Sequence, residues 1–308
     1  MTVTFTVAAL SLASALQVSA QSRAVRPGEL VVLTIAATPN TAKVRVRAFD
    51  RDIPSFHLGK DRWQALVGID LDARPGTYPI RVDADAGRDT VVYDLVVRPR
   101  QFRTRRLTVD PEFVTPPASA RDRIDLEAAL LANVWRDSHP ERLWNGTFLR
   151  PVPDAATSAF GTRSIFNGRP LSAHGGADFM SPSGTPIHAP NAGRIVVARD
   201  LYFSGNTVVI DHGLGLFSML AHLSAFDVQE GDDVTAGHVV GRVGATGRVT
   251  GPHLHWAVRV SGARVDPLSI LALLGETAGN MASHVQQERG TTARSAAQNP
   301  GNPVLGPG

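Results

Sequence analysis

The chain has 308 residues, of which 43% are apolar, so it is long enough for two domains that each bury a hydrophobic core. It contains no cysteine, which excludes both a disulfide framework and a thiolate-bound metal. The formal net charge is only +3, and the sequence lacks the helix motifs and aromatic–basic patterns of nucleic-acid readers, so we expect no nucleic-acid partner.

The first predicted element is an apolar segment, residues 4–17, which is too short to span a bilayer. The small residues of Val18-Ser19-Ala20 follow at the positions that a signal peptidase reads, so we expect a signal peptide over residues 1–20 with cleavage before Gln21. No Lys or Arg precedes the apolar segment, and the alternative is a first buried strand or helix. This segment predicts a periplasmic or secreted protein, and no later segment predicts a stable membrane span.

Residues 21–106 are predicted to form an immunoglobulin-like β-sandwich domain. Turn signals separate five strand-like segments, residues 30–35, 44–49, 63–69, 78–82 and 90–97. None of them carries a reactive pattern, so we interpret the domain as a spacer or targeting module through which envelope proteins could bind. A basic stretch over residues 98–106 is either a solvated connector or a contact with an anionic cell wall.

Residues 107–150 are predicted to be a linker that contains one short amphipathic helix. Ile124, Ala128, Leu131 and Trp135 fall at helical spacing within residues 120–136, after a possible cap at Ser119. We expect this stripe to pack against a core. At the other end of the chain, residues 276–308 lose all periodicity and are rich in Gly, Ala, Ser, Gln, Asn and Pro, which predicts a disordered tail.

The region between them, residues 151–275, is predicted to be an antiparallel β domain that ends in a strand over residues 253–260. Side chains alternate faces along a strand, so His253 and His255 share one face, and the opposite face is apolar. Two histidines in this arrangement can direct nitrogen atoms at one metal ion. Taken alone, the pair could equally be two surface histidines at the start of a strand.

Other residues with metal-binding side chains lie upstream of this pair. His174 and Asp178 are an even number of residues apart, so they share a face in an extended segment. A catalytic zinc takes three His or carboxylate ligands and leaves its fourth position to water. His174, Asp178 and one histidine of the final strand supply such a set. With His222 counted, two histidines remain for a base and an electrostatic partner.

The order H-x-x-x-D, A-H-L and G-x-T-G-x-x-T-G-P-H-L-H resembles that of the M23 zinc metallopeptidases, the lysostaphin-like or LytM-like peptidoglycan endopeptidases. The resemblance covers about residues 157–272. It implies a mainly β chain whose C-terminal part is a LytM-like antiparallel β-sheet or barrel. It also implies one Zn²⁺ per chain with His174, Asp178 and His255 as metal ligands, and His222 and His253 as the catalytic pair.

The same resemblance implies a reaction, which is hydrolysis of peptide bonds in the stem peptides or cross-bridges of peptidoglycan by a zinc-activated water. The sequence does not divide the roles of base and oxyanion stabiliser between the two catalytic histidines. One departure is Leu220, where the family often has an aromatic residue. The alternative function is a catalytically inactive LytM-like scaffold that binds the wall and activates an amidase, although such a protein is expected to have lost zinc ligands.

Overall fold

The computed structural model describes residues 16–275, except for Arg88, residues 109–114, residues 158–159 and Leu171. Within these residues the chain is mainly β, as the sequence predicted, and it has 20 strands and two α-helices, of which the second was not predicted. The C-terminal part was expected to be either an antiparallel sheet or a barrel. The described residues contain no closed barrel, so the sheet is the correct alternative. The predicted tail over 276–308 and the first fifteen residues of the expected signal peptide lie outside the described residues.

Two antiparallel sheets form an N-terminal sandwich. Its strands are β1 (Gln17–Ser22), β2 (Leu30–Ala36), β3 (Val44–Ala48), β4 (Arg51–Ile53), β5 (Ser55–Gly59), β6 (Arg62–Gly68), β7 (Gly76–Ala84) and β8 (Asp89–Val97), with a 3₁₀ turn at Asp85–Gly87. Sheet 1 has the order β1-β2-β6-β5, and sheet 2 has the order β4-β3-β7-β8. The alternation that predicted these strands is visible in β3, where Val44, Val46 and Ala48 are buried and the two arginines between them are exposed.

Strand β1 includes residues that the sequence assigned to a cleaved signal peptide. It pairs with β2 over its whole length, from Gln17 opposite Ala36 to Ser22 opposite Val31. Cleavage before Gln21 would remove the first four residues of this edge strand. Residues 17–20 thus lie in an edge strand of the uncleaved chain, and the expected cleavage before Gln21 stays a prediction.

The C-terminal part begins with a small sheet and a helix. Strand β9 (Thr104–Leu107) pairs in parallel with β10 (Arg163–Phe166), which pairs with β11 (Arg169–Pro170). Helix α1 spans Arg121–Arg136 and follows a 3₁₀ turn at Ala118–Ala120. Ser119 lies inside that turn and does not cap the helix as expected, because the N-cap residue is Ala120.

The large sheet of the C-terminal part has nine strands. They are β12 (Gly176–Phe179), β13 (Pro186–His188), β14 (Gly193–Leu201), β15 (Gly205–Gly213), β16 (Leu216–Phe226), β17 (Asp233–Val234), β18 (Val239–Val243), β19 (Leu254–Val260) and β20 (Ala263–Val265), followed by helix α2 (Pro267–Leu274). The main path is β12-β19-β16-β15-β14-β17, and β18 joins β16 to β13 while β20 extends from β19. No helix in the described ranges is long and apolar enough to cross a bilayer.

Helix α1 lies on the large sheet without a fully buried residue of its own. Its half-buried Leu131, Val134 and Trp135 pack on a small cluster formed by Val197, Val209 and Phe217. The Trp135 and Phe217 rings meet edge to face at 5.3 Å. The apolar contacts of the helix with the sheet are therefore made by its C-terminal half.

Strand β2 and the C-terminal half of β6 in sheet 1 are buried on both faces, because they lie between sheet 2 and the large sheet. Along β2, Val31 and Leu33 belong to the sandwich core, whereas Leu30 and Val32 belong to the core of the large sheet. Leu66 of β6 joins that second core in the same way. One sheet thus contributes to two hydrophobic cores.

Buried ion pairs fix the same junction. The Glu29 carboxylate is fully buried and accepts two hydrogen bonds of 2.9 Å from the Arg23 guanidinium. Arg23 also donates to Asp266 at 2.8 Å, and Asp266 caps helix α2 by accepting from the Leu268 amide. Buried charges are tolerated only when paired, so this network requires the sandwich and α2 to stay in contact.

The core of the large sheet contains one buried histidine outside the predicted site. His212 is fully buried, and its Nδ1 lies 2.8 Å from the Ala192 carbonyl oxygen and its Nε2 2.9 Å from the Ser218 hydroxyl. A carbonyl only accepts, so Nδ1 carries the proton and Nε2 accepts from Ser218. Burial lowers the pKa of His212 to about 4. The ring is therefore neutral at pH 7 and structural.

We expect His212 to make the protein less stable in mild acid. Its pKa is lower in the folded state than the ~6.5 of an unfolded chain, so the unfolded state binds more protons and the free energy of unfolding falls as the pH drops from 6.5 to about 4. The loss is on the order of 3 kcal/mol. Denaturant unfolding at pH 7 and pH 4.5 should show a smaller loss for His212→Gln than for the wild type. An equal loss in both proteins contradicts the prediction, and His238→Gln serves as the control.

Candidate metal centre and catalytic site

Three side chains with metal-binding atoms converge at one end of the large sheet. Asp178 on β12 and His255 on β19 are register partners, and His174 lies two residues before β12. The Asp178 Oδ1 atom is 3.0 Å from His174 Nε2 and 2.9 Å from His255 Nδ1. The two nitrogen atoms are themselves 2.9 Å apart. The three atoms thus form a triangle with sides of 2.9–3.0 Å.

These atoms fit a zinc ion in both distance and chemistry. Zinc binds imidazole nitrogen and carboxylate oxygen at about 2.0–2.2 Å, so one ion can contact three atoms that lie this far apart. Protons cannot satisfy the triangle equally well, because two rings that both donate to Asp178 would place two N–H groups against each other at the His174–His255 contact. A cation that accepts a lone pair from each atom removes this conflict.

The pKa shifts of Asp178 and His255 favour metal binding. Burial opposes ionisation of the Asp178 carboxyl, but hydrogen bonds with His174 and His255 outweigh it and hold its pKa far below the usual range. Burial lowers the pKa of His255, although the hydrogen bond to Asp178 partly offsets this. At neutral pH the group therefore offers an anionic carboxylate and a neutral His255 imidazole, the protonation states that metal binding requires.

Gly176 leaves the space in which His255 lies. A Cβ atom at this position would be 2.5 Å from the Trp256 carbonyl oxygen and 2.6 Å from Cε1 of the His255 ring. Any side chain would therefore collide with a backbone atom and with the His255 ring of the triangle. The sequence analysis missed this residue, and its only signal was the glycine pair between His174 and Asp178.

His222 lies in β16 at an irregular point of the strand. Its φ is +69°, an uncommon backbone conformation for a residue other than glycine. The register of β16 shifts near it in the pairing with β15 and in the pairing with β18. Its amide donates to the Ser204 carbonyl oxygen at 2.9 Å, and its Nδ1 lies 3.0 Å from the Thr246 carbonyl oxygen. Because that oxygen only accepts, Nδ1 carries the proton and Nε2 holds a free lone pair. The Thr246 carbonyl thus sets the tautomer of this ring, and the Ser204 carbonyl fixes its backbone.

His253 is held in the same way. Its Nδ1 lies 2.9 Å from the Gly251 carbonyl oxygen, so its Nε2 is also an acceptor, and that atom is 4.0 Å from Asp178 Oδ1. The His222 and His253 rings are 4.8 Å apart. Burial, helped by the neighbouring His255 and His253, lowers the pKa of His222 to about 4. A neutral imidazole with a free Nε2 can accept a proton beside the metal-binding triangle.

Thr246 fixes the loop that orients His222. Its hydroxyl donates to the Leu223 carbonyl oxygen at 2.8 Å and accepts from the Asn206 amide at 2.9 Å. The loop packs so closely on the β14–β15 turn that a Cβ at Gly205 would be 2.3 Å from the Thr246 carbonyl carbon. The sequence analysis used this G-x-T-G segment only to recognise a resemblance, and the structure gives the segment a physical role.

The structure brings together all five residues that the sequence analysis selected, and it places two further histidines of the C-terminal part elsewhere. His188 bonds the Gly237 carbonyl oxygen, and His212 lies in the core described above. Leu220, the departure from the expected pattern, is fully buried as the register partner of Trp256. The departure therefore affects core packing and no atom of the triangle.

Comparison with known proteins gives a consistent result. A family model described as "Peptidase family M23" matches residues 172–267, a range that contains all five site residues. The DD-carboxypeptidase/endopeptidase Mpg of Neisseria meningitidis is 45% identical over 97 residues, 32% of this chain and 22% of that protein. The peptidoglycan DD-endopeptidase ShyA of Vibrio cholerae is 42% identical over 95 residues, 31% of this chain and 22% of that protein. This chain thus spans about a fifth of the length of these curated relatives.

One solved structure is similar over most of the chain. It is a crystal structure described as a peptidase M23 from Pseudomonas aeruginosa, with 33% identity and a TM-score of 0.63. The similarity covers 80% of this chain and 94% of that chain, so it extends well beyond residues 172–267.

Proposed function

This chain belongs to peptidase family M23, and we propose that it is a zinc-dependent endopeptidase that hydrolyses peptide bonds in the stem peptides or cross-bridges of peptidoglycan. The observation that carries the proposal is the triangle of His174, Asp178 and His255, with sides of 2.9–3.0 Å, beside a second pair of histidines. The names of the curated relatives, which include peptidoglycan DD-endopeptidases, support peptidoglycan as the substrate.

In this proposal His174, Asp178 and His255 hold one Zn²⁺. A bound zinc supplies Lewis acidity, which lowers the pKa of a water and polarises a carbonyl group. His222 and His253 then act on protons: one accepts the proton of the attacking water at Nε2, and a protonated ring donates to the developing oxyanion. Both rings hold their Nδ1 proton on a backbone carbonyl, so Nε2 is the atom that takes up a second proton in each ring. The base gains this proton from the attacking water, and the ring that donates to the oxyanion must already carry it, taken from solvent, before the attack.

We also propose a location in the cell envelope, periplasmic or secreted, because peptidoglycan is found there. No observation favours the inactive scaffold, since the ligand set and the histidine pair are complete. The sandwich is proposed as a module that contacts other envelope components.

Incubation of the purified protein with isolated sacculi tests the function. We expect release of muropeptides with newly cut peptide bonds, detected by mass spectrometry, and about one zinc per chain by elemental analysis. Removal of the metal by a chelator should stop the release, and one equivalent of zinc should restore it. Asp178→Ala should lose most of the zinc and the activity. Zinc-loaded wild-type protein that leaves sacculi intact would contradict the proposal.

A further inference from the structure

A cavity of about 470 Å³ lies beside the loop that orients His222. It opens between the start of helix α1, the β14–β15 turn and the residues that follow Thr246. Its polar lining consists of Arg123, Asp200, Tyr202 and Arg248. The two arginines differ in how their charges are balanced.

Arg123 is already neutralised by carboxylates of this chain. Its guanidinium contacts Glu127 at 2.6 Å and Asp200 at 2.8 Å. Glu127 in turn accepts from the Tyr202 amide at 2.7 Å, so these groups form a closed network. Asp200 is thus engaged by Arg123 and is not a counter-ion for the second arginine.

Arg248 has no such counter-ion. In the described part of the chain, no carboxylate lies within 4.0 Å of its guanidinium. The group is half-buried and stacks over the Phe203 ring at 4.7 Å from the centroid. Burial lowers the pKa of Arg248 from its ordinary value, which reflects the unfavourable environment of an unpaired charge. An anionic ligand in the cavity would relieve this cost.

The geometry of Arg248 favours a carboxylate. A guanidinium that stacks on an aromatic face keeps its N–H edge free, and this planar edge matches the two oxygens of a carboxylate. The backbone amide of Arg248 donates to the Phe203 carbonyl oxygen at 3.0 Å, so the stacked pair is also fixed through the main chain.

Hydrogen bonds connect the walls of the cavity to the catalytic His222. Thr246, two residues before Arg248, accepts the hydrogen bond from His222 Nδ1. Ser204, next to Phe203, accepts from the His222 amide. Both walls of the cavity are therefore hydrogen-bonded to His222, one through its ring and the other through its backbone amide, so the cavity lies next to the catalytic site.

We propose that this cavity is a substrate subsite in which Arg248 binds a free carboxylate of the peptide close to the scissile bond. The inference rests on the proposed endopeptidase function and narrows its substrate class to peptides with such a carboxylate. A peptide amidated at that position keeps its shape but loses the charge that Arg248 pairs with.

The test uses synthetic cross-linked stem peptides that are identical except that one free carboxyl group at a time is amidated. For one position we expect the wild type to cut the free-carboxylate peptide about tenfold or more faster in kcat/KM, the scale of a lost charge-assisted hydrogen bond, mainly through KM. Arg248→Gln should cut the two peptides equally well. Arg242→Gln, which removes an exposed arginine paired with Asp227, should keep the preference.

Equal cleavage of all peptides by the wild type would overturn the inference, as would a preference that survives in Arg248→Gln. Zinc content and thermal midpoint show whether that variant is folded. Should it not fold, Arg248→Met, which keeps the apolar stem on Phe203 and removes the charge, takes its place, and an unchanged preference in the methionine variant overturns the inference. A wild type that cuts neither these peptides nor sacculi refutes the proposed function instead, so the two failures are distinguishable.

Discussion

Replacing His255 by alanine is expected to remove both zinc and peptidase activity, whereas His222→Ala and His253→Ala are expected to keep zinc and lose activity. His255 Nδ1 is a corner of the metal-binding triangle, so its loss leaves only two ligands. His222 and His253 lie beside the triangle and hold their protons on Nδ1. Loss of a general base or an oxyanion donor reduces the rate roughly a hundredfold or more.

Elemental analysis after gel filtration and initial rates on sacculi separate the two classes of histidine. The wild-type rate should fall on the acid side, because imidazoles protonate and the metal ligands are lost. Arg242→Gln provides a control for nonspecific effects. A metal-free His253→Ala protein, or a His222→Ala protein with near wild-type rates, would show that the wrong histidine has been assigned as the ligand.

The second large effect is expected from a single methyl group. Gly176→Ala should lower zinc affinity by about tenfold or more and destabilise the fold by about 1–3 kcal/mol. The new Cβ would lie 2.5 Å from the backbone oxygen of Trp256, which cannot rotate away, and 2.6 Å from the His255 ring. The His255 ring must therefore move, and the distances between the three metal-binding atoms increase.

The neighbouring glycine offers a matched control. A Cβ at Gly175 would meet nothing closer than 4.0 Å, where it touches the Arg264 side chain. Gly175→Ala should therefore keep both zinc affinity and stability, measured by metal-competition titration and denaturant unfolding. If the two alanine variants behave alike, the close approach at Gly176 does not control the site.

The sequence predicted the parts of the site that follow from regular geometry. The alternation along residues 253–260 is realised in β19, where Leu254 and Trp256 are fully buried and His255 faces the triangle. Strand pairing then explains why Asp178 and His255 meet, since they are register partners. The choice of His255 over His253 as the ligand came from the family resemblance, not from spacing.

Other features could not be predicted from the sequence, because they depend on irregular backbone conformation or on contacts between distant segments. The positive φ of His222 has no signature in its own sequence, because a histidine is not the residue expected in that conformation. The role of Gly176 depends on Trp256, eighty residues later in the chain. The small residues of 18–20 suit both a cleavage site and the half-exposed edge strand β1, so sequence alone does not separate the two, and the signal peptide stays a prediction.

Sheet 1 has a thermodynamic consequence for the metal. Leu30 and Val32 lie in one core and Val31 and Leu33 in the other, so unfolding either core exposes apolar side chains of the same strand. The two halves of the molecule should therefore melt as one cooperative unit. A ligand that binds only the native state stabilises the entire unit, so zinc bound at Asp178 should also protect amides of the distant sandwich from hydrogen exchange.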